Sequence, residues 1–158
     1  MLNFTKINMK LKLPLVFTLA IFKLIACSTT QKHLSIIGSW QLIAATTTQG
    51  DTTFSTFNPK VKMIKIINQS HFAFLTHDLI MGKDSATAAF TAGGGTYTLA
   101  DSIYTEHLAY YIDREWENNK FEFVVTIIND TLIQKGIEKL EKLGIDRIIV
   151  EKYVRVKK

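Results

Sequence analysis

The sequence holds one cysteine, Cys27, and two prolines, Pro14 and Pro59. A single thiol excludes an intrachain disulfide, so the fold must be held by its own core. A lone catalytic thiol needs a basic neighbour to lower its pKa, and His33 is the only candidate close by in sequence. Helical spacing is also scarce. Only Ile137 to Leu143 (IEKLEKL) sets Ile137, Leu140 and Leu143 on one helical face, and the same heptapeptide reads equally as a charged strand. There is no Gly-x-Ser-x-Gly elbow and no His-Glu-x-x-His pair, which removes two common signatures of hydrolytic sites. His71 and His77 share one strand face but sit roughly 20 Å apart at the strand rise, too far to share an ion. No histidine follows His107. No residue set calls for a metal or a cofactor.

A surplus of positive charge is missing too, once the leader is set aside. Lys6, Lys10 and Lys12 precede an apolar run of ten, Leu13 to Phe22, followed by Lys23 and Leu24-Ile25-Ala26-Cys27. This is the layout of a secretory signal peptide, and the apolar run is too short to span a bilayer. The tetrapeptide LIAC resembles a bacterial lipobox, with Ile25 bulkier than the usual small residue. That resemblance implies cleavage after residue 26 and acylation of Cys27 by fatty acids such as palmitate. The chain is then exported to a bacterial cell envelope and anchored to a membrane through its lipid. Cleavage removes four of the 19 basic residues and none of the 14 acids, leaving 15 against 14, a net of +1. The basic isoelectric point belongs to the leader, so no nucleic-acid partner is expected.

Of 158 residues, 132 remain after residue 26, enough for one core and one domain. The expected organisation is a signal peptide (1–26), a polar lipidated tether (27–35) and a single domain (36–158). Within the domain the apolar residues come in short alternating runs bounded by turn signals. They predict strands over Ile37–Thr46, Val61–Ile67, His71–His77, Thr87–Leu99, Ser102–Tyr111, Phe121–Ile128, Thr131–Lys135 and Ile145–Val156, with Thr47–Lys60 as a polar connection. About eight antiparallel strands close as a barrel or pack as a sandwich.

Gly38-Ser39-Trp40 opens the first strand as Gly-x-Trp opens the lipocalins, and Arg155 falls in the last strand where lipocalins place an arginine over that tryptophan. Lys65-Ile66-Ile67 with His71-Phe72, Gly94-Gly95-Thr96-Tyr97 and Tyr104-Thr105-Glu106 are similar to stretches of the lipocalin-like domains of bacterial envelope lipoproteins. The resemblance covers nearly all of the domain. It implies an all-β, eight-stranded antiparallel up-and-down barrel with a cavity open at one end, and it names no ligand.

Gly93-Gly94-Gly95 is not a phosphate cradle. Such a loop needs a helix start behind it, and Thr96-Tyr97-Thr98-Leu99 is β-branched and aromatic in alternation. Glycines inside a strand mark a bulge, a bend or a close backbone approach, so these three are expected to serve structure beside the cavity. Alternation along the next strand puts Tyr104, Glu106, Leu108 and Tyr110 on one face. If that face points inward, Glu106 is a carboxylate among aromatics and needs a partner, for which Tyr97 and Arg155 are the candidates. Glu106 and His107 face opposite ways and cannot act as a dyad. Phe72, Phe74, Tyr97, Tyr104, Glu106 and Tyr110 are therefore the expected lining for a small, mainly apolar molecule. Phe54 and Phe57 lie in the connection that could cover the mouth. Trp40 and Arg155 are expected to plug the closed end. A barrel filled by its own side chains, with no ligand, is the alternative, and an enzyme using Glu106 would need a second polar group converging on it.

Overall fold

The computed structural model describes residues 35–86 and 88–157; the expected signal peptide, Cys27 and most of the expected tether lie outside them. Nine strands follow in order: β1 (Gly38–Gln49), β2 (Thr52–Ser55), β3 (Val61–Ile67), β4 (His71–Asp78), β5 (Phe90–Ala100), β6 (Ile103–Tyr111), β7 (Lys120–Ile128), β8 (Thr131–Leu140) and β9 (Ile145–Arg155). From β3 onward each strand pairs antiparallel with the next, β1 pairs with β3, and β9 returns to β1. Eight strands thus close an up-and-down barrel, as the lipocalin-like resemblance implies; the strand spacing alone left a sandwich open. Closure leaves no long free edge to template aggregation. The described residues form one compact unit, and the ladder and core of the barrel are complete within it.

The ninth strand, β2, is an addition to the predicted set. β1 does not stop at Thr46 but runs to Gln49 and turns back at Gly50-Asp51. Its first residues, Gly38–Gln41, pair with β3; its last, Thr46–Gln49, pair with β2. β9 lies along its other side, with one bulge between Leu42 and Ala44 that turns Ile43 outward. The threonines of this stretch looked like a polar loop, yet alternation along a strand serves them as well: Thr47 is buried while its neighbours Thr46 and Thr48, on the other face, are only partly so.

The two ends of the barrel differ. Where β1 begins, the connections 68–70, 101–102 and 129–130 are two or three residues long. Asp101, Asn129 and Asp130 there take left-handed φ angles of 53°, 48° and 60°, which short polar side chains tolerate. At the other end the connections are longer: 50–60 with β2, 79–89, 112–119 and 141–144. The ambiguous Ile137–Leu143 segment resolves here. β8 continues to Leu140, then a single 3-10 turn (Glu141–Leu143) ends at Gly144, φ 65°. Pairing of Glu138 with Arg147 and Leu140 with Ile145 across β8 and β9 overrides the helical spacing.

The tight end is plugged. Trp40 is fully buried and its Nε1 donates to the Ile36 carbonyl at 2.7 Å. The Arg155 guanidinium lies 4.0 Å from the Trp40 ring centroid and donates to the Ile37 carbonyl at 2.8 Å. Gly38 makes this stack possible. Its φ is +147°, and a Cβ there would stand 2.5 Å from Arg155 Nη1. Gly38→Ala is expected to lower stability by about 1–2 kcal/mol, through backbone strain and a displaced guanidinium. Urea denaturation checks this, and a midpoint equal to wild type would show that the stack contributes nothing.

Candidate functional site

The register decides which side chains enter the lumen, because paired residues in neighbouring strands face the same way. Trp40 pairs with Lys65, Lys65 with Phe74, and Phe74 with Gly93; Tyr97 pairs with Glu106, Glu106 with Phe121, and Tyr104 with Phe123. Gln134 pairs with Glu151, and Glu138 with Arg147. All of these face inward.

The half of the lumen nearest Trp40 is solid. Trp40, Phe72, Tyr104, Phe123 and Tyr153 are each no more than 2% exposed. Tyr104 is the hub: its ring centroid lies 5.2 Å from Tyr97, 6.4 Å from Phe72 and 6.4 Å from Phe123. Set among these rings is a charge. Lys65 Nζ donates to Glu106 Oε1 at 2.7 Å and to Gln134 Oε1 at 3.0 Å. It also lies 5.3 Å from the Tyr153 ring centroid, 5.8 Å from Phe72 and 5.9 Å from Tyr104. Lys65, Glu106 and Gln134 are all buried. Neither charge is tolerable alone in such surroundings; together, with the amide oxygen and three ring faces, they are compensated.

Glu106 is therefore inside, but with a partner other than those the sequence suggested. Arg155 is occupied at the plug, and the Tyr97 hydroxyl donates to the Asn68 carbonyl at 2.6 Å. Lys65 takes their place, a residue that enters the sequence analysis only within the stretch Lys65-Ile66-Ile67. A signal existed. Lys62 and Lys65 are three apart on one strand, so they must face opposite sides. Lys62 pairs with His77 on the outside, and Lys65 points in.

The Tyr104 hydroxyl is buried and has no hydrogen-bond partner. Burial raises its pKa well above the ordinary 10.0, and the nearby Glu106 carboxylate adds to that, so it stays protonated. Tyr153 is raised in the same way, by burial first and then by Glu151, whose Oε2 accepts its hydroxyl at 2.7 Å.

Tyr110 does not line the lumen. Gly94 pairs with Tyr110 but Gly95 pairs with Leu108, so Ala109 is an extra residue on β6. A one-residue bulge inverts everything beyond it. Tyr110 is turned out, 70% exposed, and Tyr111 takes the inward place against Phe74, 5.8 Å between centroids. Tyr110 instead flanks an outer groove of about 700 Å³, with Leu75, Phe90 and Ile112. The three glycines permit this crossing of strands. A Cβ on Gly95 would meet the His107 carbonyl oxygen, one on Gly93 the Phe74 ring, and one on Gly94 the Phe72 carbonyl oxygen. None of the three has a positive φ, so close approach, rather than a special backbone angle, requires glycine there. Gly136 does the same between β7 and β8, where a Cβ would meet the Glu122 carbonyl.

Toward the open end the lumen loosens. Met63, Phe74, Glu138, Arg147 and Glu151 face inward yet are only partly buried. Arg147 Nη2 is 2.6 Å from Glu138 Oε2, and its guanidinium lies 5.6 Å from the Trp116 ring centroid. Burial raises the Glu138 pKa, Arg147 opposes the rise, and the Glu151 and Glu106 charges add to it. Phe54 is exposed on β2, and Phe57 is half-buried. His71 and His77 lie outside on β4.

At the rim, Asp78 fastens the long 79–89 connection. Its carboxylate accepts from the backbone N–H groups of Gly82 at 2.9 Å, Ile80 at 3.0 Å and Ala89 at 3.1 Å. These bonds, Gly82 first and then Ala89, hold its pKa below the ordinary 3.8. A depressed carboxylate stabilises the fold above its unfolded pKa, and that contribution fades as pH falls through the native value. Asp78→Asn is thus expected to lower the urea midpoint at pH 7 and to differ little from wild type in acid, where the wild-type carboxyl is itself protonated. A deficit of equal size at both pH values would show that charge plays no part.

No curated protein matches the chain. Residues 35–158 match the model of the family described as DUF4488, a domain of unknown function. The matched segment is the barrel, from the residue before the Trp40 plug to the end of the chain, and the chain belongs to the DUF4488 family.

Proposed function

We propose that this chain is a lipid-anchored protein of a bacterial envelope whose barrel, lipocalin-like in plan, holds a small, mainly apolar molecule in the open half of its lumen. The carrying observation is the contrast along the lumen. Below the Lys65–Glu106 pair Trp40, Phe72, Tyr104, Phe123 and Tyr153 are sealed, while above it inward-facing Met63, Phe74, Glu138, Arg147 and Glu151 are part-exposed. Apolar walls with a few fixed polar groups are what a small-molecule pocket needs. Phe72, Tyr97, Tyr104 and Glu106 belong to the floor of that pocket, and Phe74 to its wall. The leader, with Cys27 in a lipobox-like LIAC, supports export and acylation, and a multiply acylated cysteine anchors stably. Binding is favoured over catalysis because the group converging on Glu106 is Lys65, already neutralised by it.

The packed floor also supports a second reading, a structural lipoprotein whose barrel is filled by its own side chains. Native mass spectrometry of residues 28–158 purified from a bacterial host separates the two. Retained mass that is lost on denaturation is the expected result. A bare chain that also fails to take up any apolar probe supports the filled barrel.

A further inference from the structure

We infer that the lumen selects an apolar molecule carrying an ammonium group over one carrying a carboxylate. This rests on the ligand-binding reading above and adds the charge of the ligand to it. The register brings six side chains of ordinary charge inward: Lys65 and Arg147 against Asp78, Glu106, Glu138 and Glu151, with Asp78 taken up at the rim by backbone N–H groups. Both cations are already committed. Lys65 is bound to Glu106 at 2.7 Å and Arg147 to Glu138 at 2.6 Å. No free cation faces the lumen among the described residues, so a ligand carboxylate would meet no counter-ion. Glu151 is left over. Its one side-chain partner is the Tyr153 hydroxyl, a neutral donor, and it is part-exposed. In a partly desolvated lumen one uncompensated carboxylate repels an anion and attracts a cation more strongly than it would in water.

A further feature fits an ammonium. The aromatic floor already holds a cation of this type. Lys65 Nζ sits 5.3–5.9 Å from the centroids of Tyr153, Phe72 and Tyr104, a setting in which aromatic faces stabilise an ammonium. The chain therefore provides, with its own lysine, a sample of the chemistry its lumen accepts.

The test uses three ligands of equal chain length, decylamine, decanol and decanoate. Each is titrated at pH 7 and below its micelle concentration into residues 28–158, with calorimetry as the readout. Decylamine is expected to bind about tenfold or more tighter than decanoate, with decanol between them. Glu151→Gln keeps an acceptor for Tyr153 and removes the charge. It is expected to cut the amine-to-carboxylate ratio severalfold. Equal binding of all three, or a preference for decanoate, overturns the inference while leaving a ligand-binding barrel in place. Failure of all three to bind overturns the ligand-binding reading, and the inference with it.

Discussion

Glu106→Ala is expected to be among the most destabilising single substitutions in the chain. It leaves the Lys65 ammonium, 2% exposed and ringed by Phe72, Tyr104 and Tyr153, with Gln134 as its only remaining hydrogen-bond acceptor. Breaking a buried pair by removing one partner typically costs about 3–5 kcal/mol, because the surviving charge is uncompensated. For a domain of this size that is a fall in Tm of roughly 10–20 °C. Replacing both members by apolar residues of similar volume, Lys65→Met with Glu106→Leu, removes the charge along with its partner and should restore most of the loss. Thermal unfolding of the two single variants and the double variant gives the coupling directly. A single variant as stable as wild type would mean that Lys65 escapes to water and the pair is not the centre of the lumen.

Gly95→Ala is the second large effect. Its Cβ would run into the His107 carbonyl oxygen and stand 2.9 Å from the Ala109 nitrogen, both backbone atoms of the β6 bulge. Flexible side-chain tips can move aside; a strand held by its ladder on both sides cannot do so without opening it. The loss is expected to reach about 3–4 kcal/mol. Gly50→Asn is the control. Gly50 lies at an exposed turn with φ +56° and nothing within 4 Å of a built Cβ, and Asn tolerates that conformation. Chemical denaturation of the pair should separate them by several kcal/mol. Equal midpoints would show that β5 and β6 part easily at the bulge, contrary to the close approach described above.

How much of this was legible beforehand follows from the range of the interactions involved. Alternation and turn residues are local, so most of the strands and the tight turns at Asp101 and Asn129-Asp130 could be read from the chain, while closure as a barrel and the Trp40–Arg155 plug followed from the lipocalin-like resemblance. The end of β8 was ambiguous because helix and strand spacing coincide over seven residues, and only pairing with β9 decides between them. Alternation groups Tyr104, Glu106 and Leu108 on one face of β6 without saying which way it points, and it fails at Tyr110, since a bulge at Ala109 shifts the parity and leaves no mark on the sequence except the glycines opposite. The partner of Glu106 lies 41 residues away on a strand that is not its neighbour. No periodicity reaches that far. The odd spacing of Lys62 and Lys65 could still have shown that one lysine had to enter the core.

Closure of the barrel by its first and last strands has a consequence for orientation. Trp40 and Arg155 pair side by side, so the chain enters and leaves the domain at one pole, the plugged one. On the proposal that Cys27 is acylated, a tether leading back from Ser35 would moor the molecule by that pole. The longer loops and the part-open lumen would then point away from the bilayer, toward whatever arrives through the aqueous space. The adjacent ends also make the connectivity nearly circular. A permuted chain that joins the two ends at the plug and opens at an exposed loop tip near the mouth would keep every strand pairing and hang the barrel upside down.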